Sequence, residues 1–274
     1  MNGDQKLVVG QLSQEDLYDK TIQTIGVVAK LPVVRVDRES FLRKEFAGSP
    51  HLDAIIERGP HAVFTVEFLE KKAKAIVHRS TIKTSAVSFV TGIPANLALM
   101  LPTGAADMAS YFGFAINMAQ QIAFLFGEDE IFVGGDEQIS EDAKIRIVAY
   151  LGVMFGAGGA AALVNQVSKK AGANLGKKVA GQALTKTVWY PMVKRVGAII
   201  GQKITKKTVE KTITKAVPVL GGVVSGGLTF VTFRPMGHRL SETFARGLRG
   251  ELDENDLNPE FRASLTPSVS AATV

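Results

Sequence analysis

Apolar positions recur at helical spacing in several stretches of this chain. Leu69, Ala73, Ile76 and Val77 fall on one helix face within 66–78. The same stretch carries Glu67–Lys71 and Glu70–Lys74, acid-first pairs four residues apart that support a helix. Met236, Leu240, Phe244 and Leu248 repeat every four residues after Pro235, which predicts a helix starting at that proline. Ser140 followed by Glu141 and Asp142 reads as a helix N-cap with acids in the first turn. Period-two alternation is scarce, and its best example, 31–37 (LPVVRVD), is short. The pattern predicts a mainly α fold: a compact multi-helix domain with closely packed, Gly/Ala-rich central helices and few or no strands.

One region does not read as a straight helix. Val193, Val196, Ile199, Ile200 and Ile204 share a face, and Val209, Ile213 and Val217 share another that is well rotated from it. A single helix would carry its apolar stripe away from the core, so a break is expected near 201–207. Pro191 and Pro218 mark expected helix starts. No period of 20–50 residues is present, which excludes a repeat array. The expected organisation is a flexible N-terminus over 1–14, one helical domain over 15–250, and a polar, disordered tail over 251–274.

Charge is distributed in blocks. Residues 84–127 hold one charged side chain, Asp107, and 147–168 and 216–233 hold none. Residues 128–142 carry seven acids and no base, whereas 169–215 carry twelve Lys/Arg and one acid, a local net of +11. The whole 274-residue chain is only +6, so everything outside that basic segment is net acidic. The stretches 84–106, 108–127, 147–168 and 216–233 approach the length of a membrane span. Their glycine, alanine, proline and hydroxyl content, and a mean hydropathy of +0.15 for the chain, argue for buried helices instead. Small residues at helical spacing, Gly152 with Gly156 and Gly222 with Gly226, would let helix backbones approach closely.

Composition excludes several chemistries. The chain has no cysteine, so no disulfide, thiol nucleophile or cysteine zinc site is available. The four histidines, His51, His61, His78 and His238, lack metal-ligand spacing, and no metal or cofactor is expected. Residues 156–161 fit G-x-G-x-x-A, but no acid follows about 20 residues on and no βαβ pattern surrounds them. Asp107 is the sharpest single residue, because a lone carboxylate in an apolar stretch needs a partner, a proton or water. It also suits the first turn of a helix opened by Thr103 and Gly104. Asp107, Arg234 and His238 are the candidate polar site.

The basic segment suggests a contact surface. Lys203, Lys207, Lys211 and Lys215 align if the helix is continuous, Lys206 lies beside them, and Trp189 is an interface-type aromatic nearby. Arginine is rare in it and no aromatics interleave with the lysines, which argues against nucleic acid.

Three blocks together resemble the EcsC family: TSAVSFVTGIPANLALMLPTGAADM (84–108), IAFLFGEDEIF (122–132) and AVPVLGGVVSGGLTFVTFRPM (216–236). Gly92, Pro94, Asp107, Gly127, Pro218, Gly221, Gly222 and Gly226 stand where that family's pattern has them, over about 38–248. The resemblance implies a bacterial helical protein with an accessory role beside an ABC-type transporter or in secretion, and it brings no reaction or cofactor. Together these readings lead to a non-enzymatic, cytoplasmic protein, peripheral on the inner face of the cell membrane. It would bind an anionic membrane surface or a membrane protein through 169–215. The alternative is a soluble enzyme or small-molecule-binding protein with a pocket around Asp107.

Overall fold

Several helix ends in this chain are set by a side chain or glycine immediately outside them. The computed structural model describes residues 13–29, 31, 34–86, 105–132, 139–168, 194, 197–198 and 221–252. Asp37 accepts a hydrogen bond from the Ser40 amide at 2.7 Å and opens a helix at Arg38. Ser140 accepts from the Ala143 amide at 3.2 Å and opens one at Glu141, as its sequence context predicts. Among the described residues there are eight α-helices and no strand, in keeping with the mainly α expectation. They are α1 (Gln14–Val28), α2 (Arg38–Glu45), α3 (Leu52–Arg58), α4 (Val66–Ala86), α5 (Ala105–Leu125), α6 (Glu141–Met154), α7 (Ala160–Val167) and α8 (Gly221–Arg249). A 3-10 turn, Pro60–Ala62, joins α3 towards α4.

Three helices end in the same way. Past α5, α6 and α8 stand Gly127, Gly156 and Gly250, with φ of 95°, 68° and 72°. In each case the residue after the glycine donates its amide back five residues: Glu128 to the Ala123 carbonyl, Ala157 to Gly152, and Glu251 to Arg246. This left-handed glycine cap satisfies the last carbonyls of the helix. It corrects the reading of Gly156. That glycine is exposed beyond the end of α6, so it terminates a helix instead of packing one. Gly152 is buried inside α6, while Gly222 and Gly226 fall in the first turns of α8, where side-chain surroundings lie outside the described residues.

Ring contacts and ion pairs give the directions of the long helices. Tyr111 meets Phe233 edge-on at 4.7 Å and Phe126 stacks on Phe244 at 5.8 Å, so α5 and α8 run parallel. Arg249 pairs with Glu70 at 2.8 Å and Glu67 at 3.3 Å, and Gly237 lies against Val77, so α4 runs against α8. Tyr150 meets Phe244, and Arg239 donates to the Met154 carbonyl at 3.1 Å, so α6 also runs against it. Leu69, Ala73, Ile76 and Val77 are buried as their spacing predicts, as are Met236, Leu240 and Phe244, with Leu248 half-buried. Each fully buried large side chain contributes roughly 1.5–3 kcal/mol. The close approach comes at Gly237, where a Cβ would sit 2.5 Å from Val77 Cγ2 and 3.1 Å from Met118 Sδ. Here α8 touches α4 and α5 at once.

Three local expectations are corrected. Pro235 does not start a helix; it lies inside α8, which begins at Gly221. Proline removes one backbone hydrogen bond, but packing on both sides of Pro235 lets the helix continue. The described residues of the 31–37 stretch, 31 and 34–37, form no strand. Two of its backbone groups bond to a side chain: buried Gln120 accepts from the Val36 amide at 3.2 Å and donates to the Val34 carbonyl at 2.7 Å. One amide group thus serves this short segment as a neighbouring strand would. Glu67 and Glu70 both turn to Arg249 across the α4–α8 contact, not along their own helix to Lys71 and Lys74.

The expected break near 201–207, the helix starts at Pro191 and Pro218, and the termini at 1–12 and 253–274 lie outside the described residues.

Candidate functional site

Asp107 falls in the first turn of α5, where an acid favours the helix dipole. Met118, the α5 residue against Gly237, is eleven positions or about 16 Å of helix further on. His238 is therefore some three turns of helix from the level of Asp107, whose side chain lies outside the described residues. Arg234 and His238 do come together. They stand one turn apart on α8, opposite Lys74 of α4. Partial burial first, then Arg234 and Lys74, hold the His238 imidazole below its usual pKa. His78 and Lys74 are exposed on α4, as is Arg234 on α8. The short Gly237–Val77 approach brings the two helices close enough for these side chains to share one surface.

The second polar centre is at the opposite end of α5. The glycine cap at Gly127 turns the chain so that Glu128 points inward, where it is 2% exposed. Ser168 donates to one carboxylate oxygen at 2.5 Å and Tyr150 to the other at 3.3 Å. Arg38 fixes the backbone there, donating to the carbonyls of Glu128 at 3.0 Å and Ile56 at 2.8 Å. Burial, reinforced by the Glu128 charge, pushes the Tyr150 phenol well above its usual pKa. Burial opposes the Arg146 charge. Tyr150, Asp142, Glu128 and Asp129 outweigh that burial and hold the guanidinium above its usual value. Asp142 pairs with Arg146 at 3.0 Å. The buried Glu128 carboxylate and the part-exposed Asp142 carboxylate thus lie on either side of the Arg146 charge.

His61 completes this region. Its ring lies against Gly127, where any Cβ would collide with it, and a Cβ on Gly59 would come within 2.9 Å of Gly127 Cα. Both glycines have positive φ, so the 3-10 turn and the α5 cap fit only as glycine meeting glycine. A cavity of about 140 Å³ opens here, lined by His61, Glu128, Asn165, Ser168, Thr243 and Phe244 among others. That volume suits a benzene-sized molecule. This cavity lies at the other end of α5 from Asp107, around which a pocket was expected and whose side-chain surroundings lie outside the described residues. Sequence reasoning missed Glu128, His61, Tyr150 and Arg146. The one available signal was Phe126-Gly127, a helix terminator that aims the next residue inward.

Trp189, Lys203, Lys206, Lys207, Lys211 and Lys215 lie outside the described residues. Among the described residues no group of histidines and carboxylates could hold a metal ion, and no helix is long and apolar enough to cross a membrane. Compared with family models, curated proteins and solved structures, the chain matches none.

Proposed function

We propose that this chain is a non-enzymatic, membrane-proximal accessory protein that docks on an anionic membrane surface through its basic segment, 169–215. The observation that carries the reading is where the acids go. The acidic stretch 128–142 is the natural internal counter-charge for a segment of net +11. Yet Glu128 is engaged by Tyr150 and Ser168 within the core, and Asp142 is paired with Arg146 at its edge. Two of the seven acids are thereby taken up inside the protein, which supports a counter-charge from outside it, and anionic lipid supplies one at close range. The resemblance to the EcsC family supports a bacterial, cytoplasmic protein acting beside an ABC-type transporter or in secretion.

The test is sedimentation with phosphatidylserine vesicles at low and high salt. Binding should appear at low salt and fade as salt rises, because screening shortens the reach of the charges to about 8 Å at physiological ionic strength. Replacing Lys203, Lys207, Lys211 and Lys215 by Gln should abolish it while leaving the helical signal unchanged. Absence of wild-type binding at low salt would refute the reading. A second reading, small-molecule binding, rests on the cavity beside Glu128. A ligand there would raise the melting temperature without any vesicle present.

A further inference from the structure

The cavity beside Glu128 is lined by the C-terminal ends of three helices. Glu128 stands just past α5, Asn165 lies in the last turn of α7 with Ser168 capping it, and Phe244 and Leu248 lie in the last two turns of α8. A helix C-terminus carries roughly half a negative elementary charge, which a lysine or arginine in the last turn offsets. The last turns of α5 and α7 hold no basic residue. That of α8 holds two, and neither lines the cavity. Arg249 reaches Glu67 at 3.3 Å and Glu70 at 2.8 Å, and Arg246 reaches the Glu251 carbonyl at 3.4 Å. To these partial charges Glu128 adds a full one. Its two oxygens each accept a hydrogen bond, from Ser168 and Tyr150, which favours the ionised form. The nearby guanidiniums are engaged outside the cavity wall. Arg146 pairs with Asp142 at 3.0 Å, and Arg38 donates to the Glu128 and Ile56 carbonyls. The one arginine in the lining, Arg58, has its side chain 71% exposed and lies 3.8 Å from Glu57.

We propose that this cavity binds a small organic ammonium about the size of benzylammonium, with its charge towards Glu128 and its hydrocarbon body against Phe126, Phe244 and Leu248. The proposal rests on the small-molecule reading of the cavity and adds the sign of the ligand's charge. The wall selects an organic cation. Phe126 and Phe244 stack at 5.8 Å, and Val164, Leu248 and Leu252 make up much of the remaining lining. Aromatic rings attract a cation electrostatically and also cover its apolar part. A bare metal ion needs several oxygen ligands and would leave that apolar wall unfilled. The Asn165 amide oxygen and the Ser168 hydroxyl supply acceptors for the ammonium hydrogens. A volume of about 140 Å³ matches a single aromatic ring, so the ligand is small.

The test compares three probes of one size: benzylamine hydrochloride, benzyl alcohol and sodium benzoate, which are positive, neutral and negative at pH 7. Thermal melting of the full chain is followed at constant ionic strength, without vesicles. Benzylammonium should raise the midpoint by about 3–6 °C when present at roughly ten times its Kd. Benzyl alcohol should raise it less, and benzoate not at all. Glu128→Gln should reduce the benzylammonium shift to that of the alcohol. Asn165→Phe, which fills the cavity from a half-buried position without removing a Glu128 hydrogen bond, should abolish both shifts. The wild-type comparison decides the charge preference even if Glu128→Gln fails to fold. If the alcohol or benzoate matches the ammonium, the small-molecule reading stands and the choice of a cation is wrong. If no probe shifts the wild-type midpoint, or the shifts survive Asn165→Phe, both fall for this cavity.

Discussion

Replacing Gly127 by alanine puts a methyl group where the His61 ring lies. Two costs combine. The residue has φ of 95°, in the left-handed region, where a side chain costs roughly 1–2 kcal/mol. The added Cβ also collides with the imidazole, and over-packing of a fitted site costs typically about 1–3 kcal/mol. The sum is roughly 2–5 kcal/mol, at about 2–4 °C of melting temperature per kcal/mol for a chain of this size. The structure supplies its own control. Gly48 has φ of 82° but nothing within 4 Å of its would-be Cβ, so Gly48→Ala should show the conformational cost alone. Urea unfolding of Gly127→Ala, Gly48→Ala, His61→Ala and the Gly127→Ala/His61→Ala pair separates the two terms. The pair should be less destabilised than the sum of its single changes by the over-packing share, about 1–3 kcal/mol. A Gly127→Ala loss within about 0.5 kcal/mol of zero, or strict additivity of the pair, would refute the glycine-on-histidine contact.

Other perturbations test other links. Gly237→Ala should destabilise although alanine is the better helix former by roughly 1 kcal/mol, because its methyl meets Val77 at 2.5 Å; a more stable variant would mean α4 and α8 are further apart. Ser140→Ala should cost about 1 kcal/mol through loss of the α6 cap, read as a lower urea midpoint with an unchanged slope. Tyr150→Phe should cost about 1.5–3 kcal/mol by removing a donor to the buried Glu128 carboxylate, whereas an exposed tyrosine would show almost nothing. Burial pushes the Tyr111 phenol up to about 12 from the ordinary value of 10.0. Its raised pKa stabilises the fold in full below the unfolded value, and that stability is lost as pH rises through the folded one. Tyr111→Phe should therefore flatten the alkaline loss of stability between those two values, measured by urea midpoints across that range.

Much of the helical framework was legible in the sequence because its signals act within one turn. A cap reaches three residues, as from Ser140 to Ala143, and an amphipathic face repeats every three or four, as in Leu69, Ala73, Ile76 and Val77. The charge-free stretches were equally plain. What the tertiary structure decided spans far longer separations. Glu128 looked like one acid among seven. It is a buried centre only because Tyr150, 22 residues on, and Ser168, 40 residues on, converge there, while Arg38, 90 residues back, holds its backbone. Gly156 stands four residues after Gly152, as a packing pair would, yet the chain leaves the helix between them; the spacing cannot show whether a glycine continues a helix or caps it. Pro235 reads locally as a start, and only packing against α4 and α5 keeps α8 continuous through it. The sequence by itself determined that α4, α6 and the second half of α8 are helical and which segments carry no charge. Which way each helix runs was decided by tertiary packing alone, since a pattern local to a helix carries no information about the direction of its neighbours.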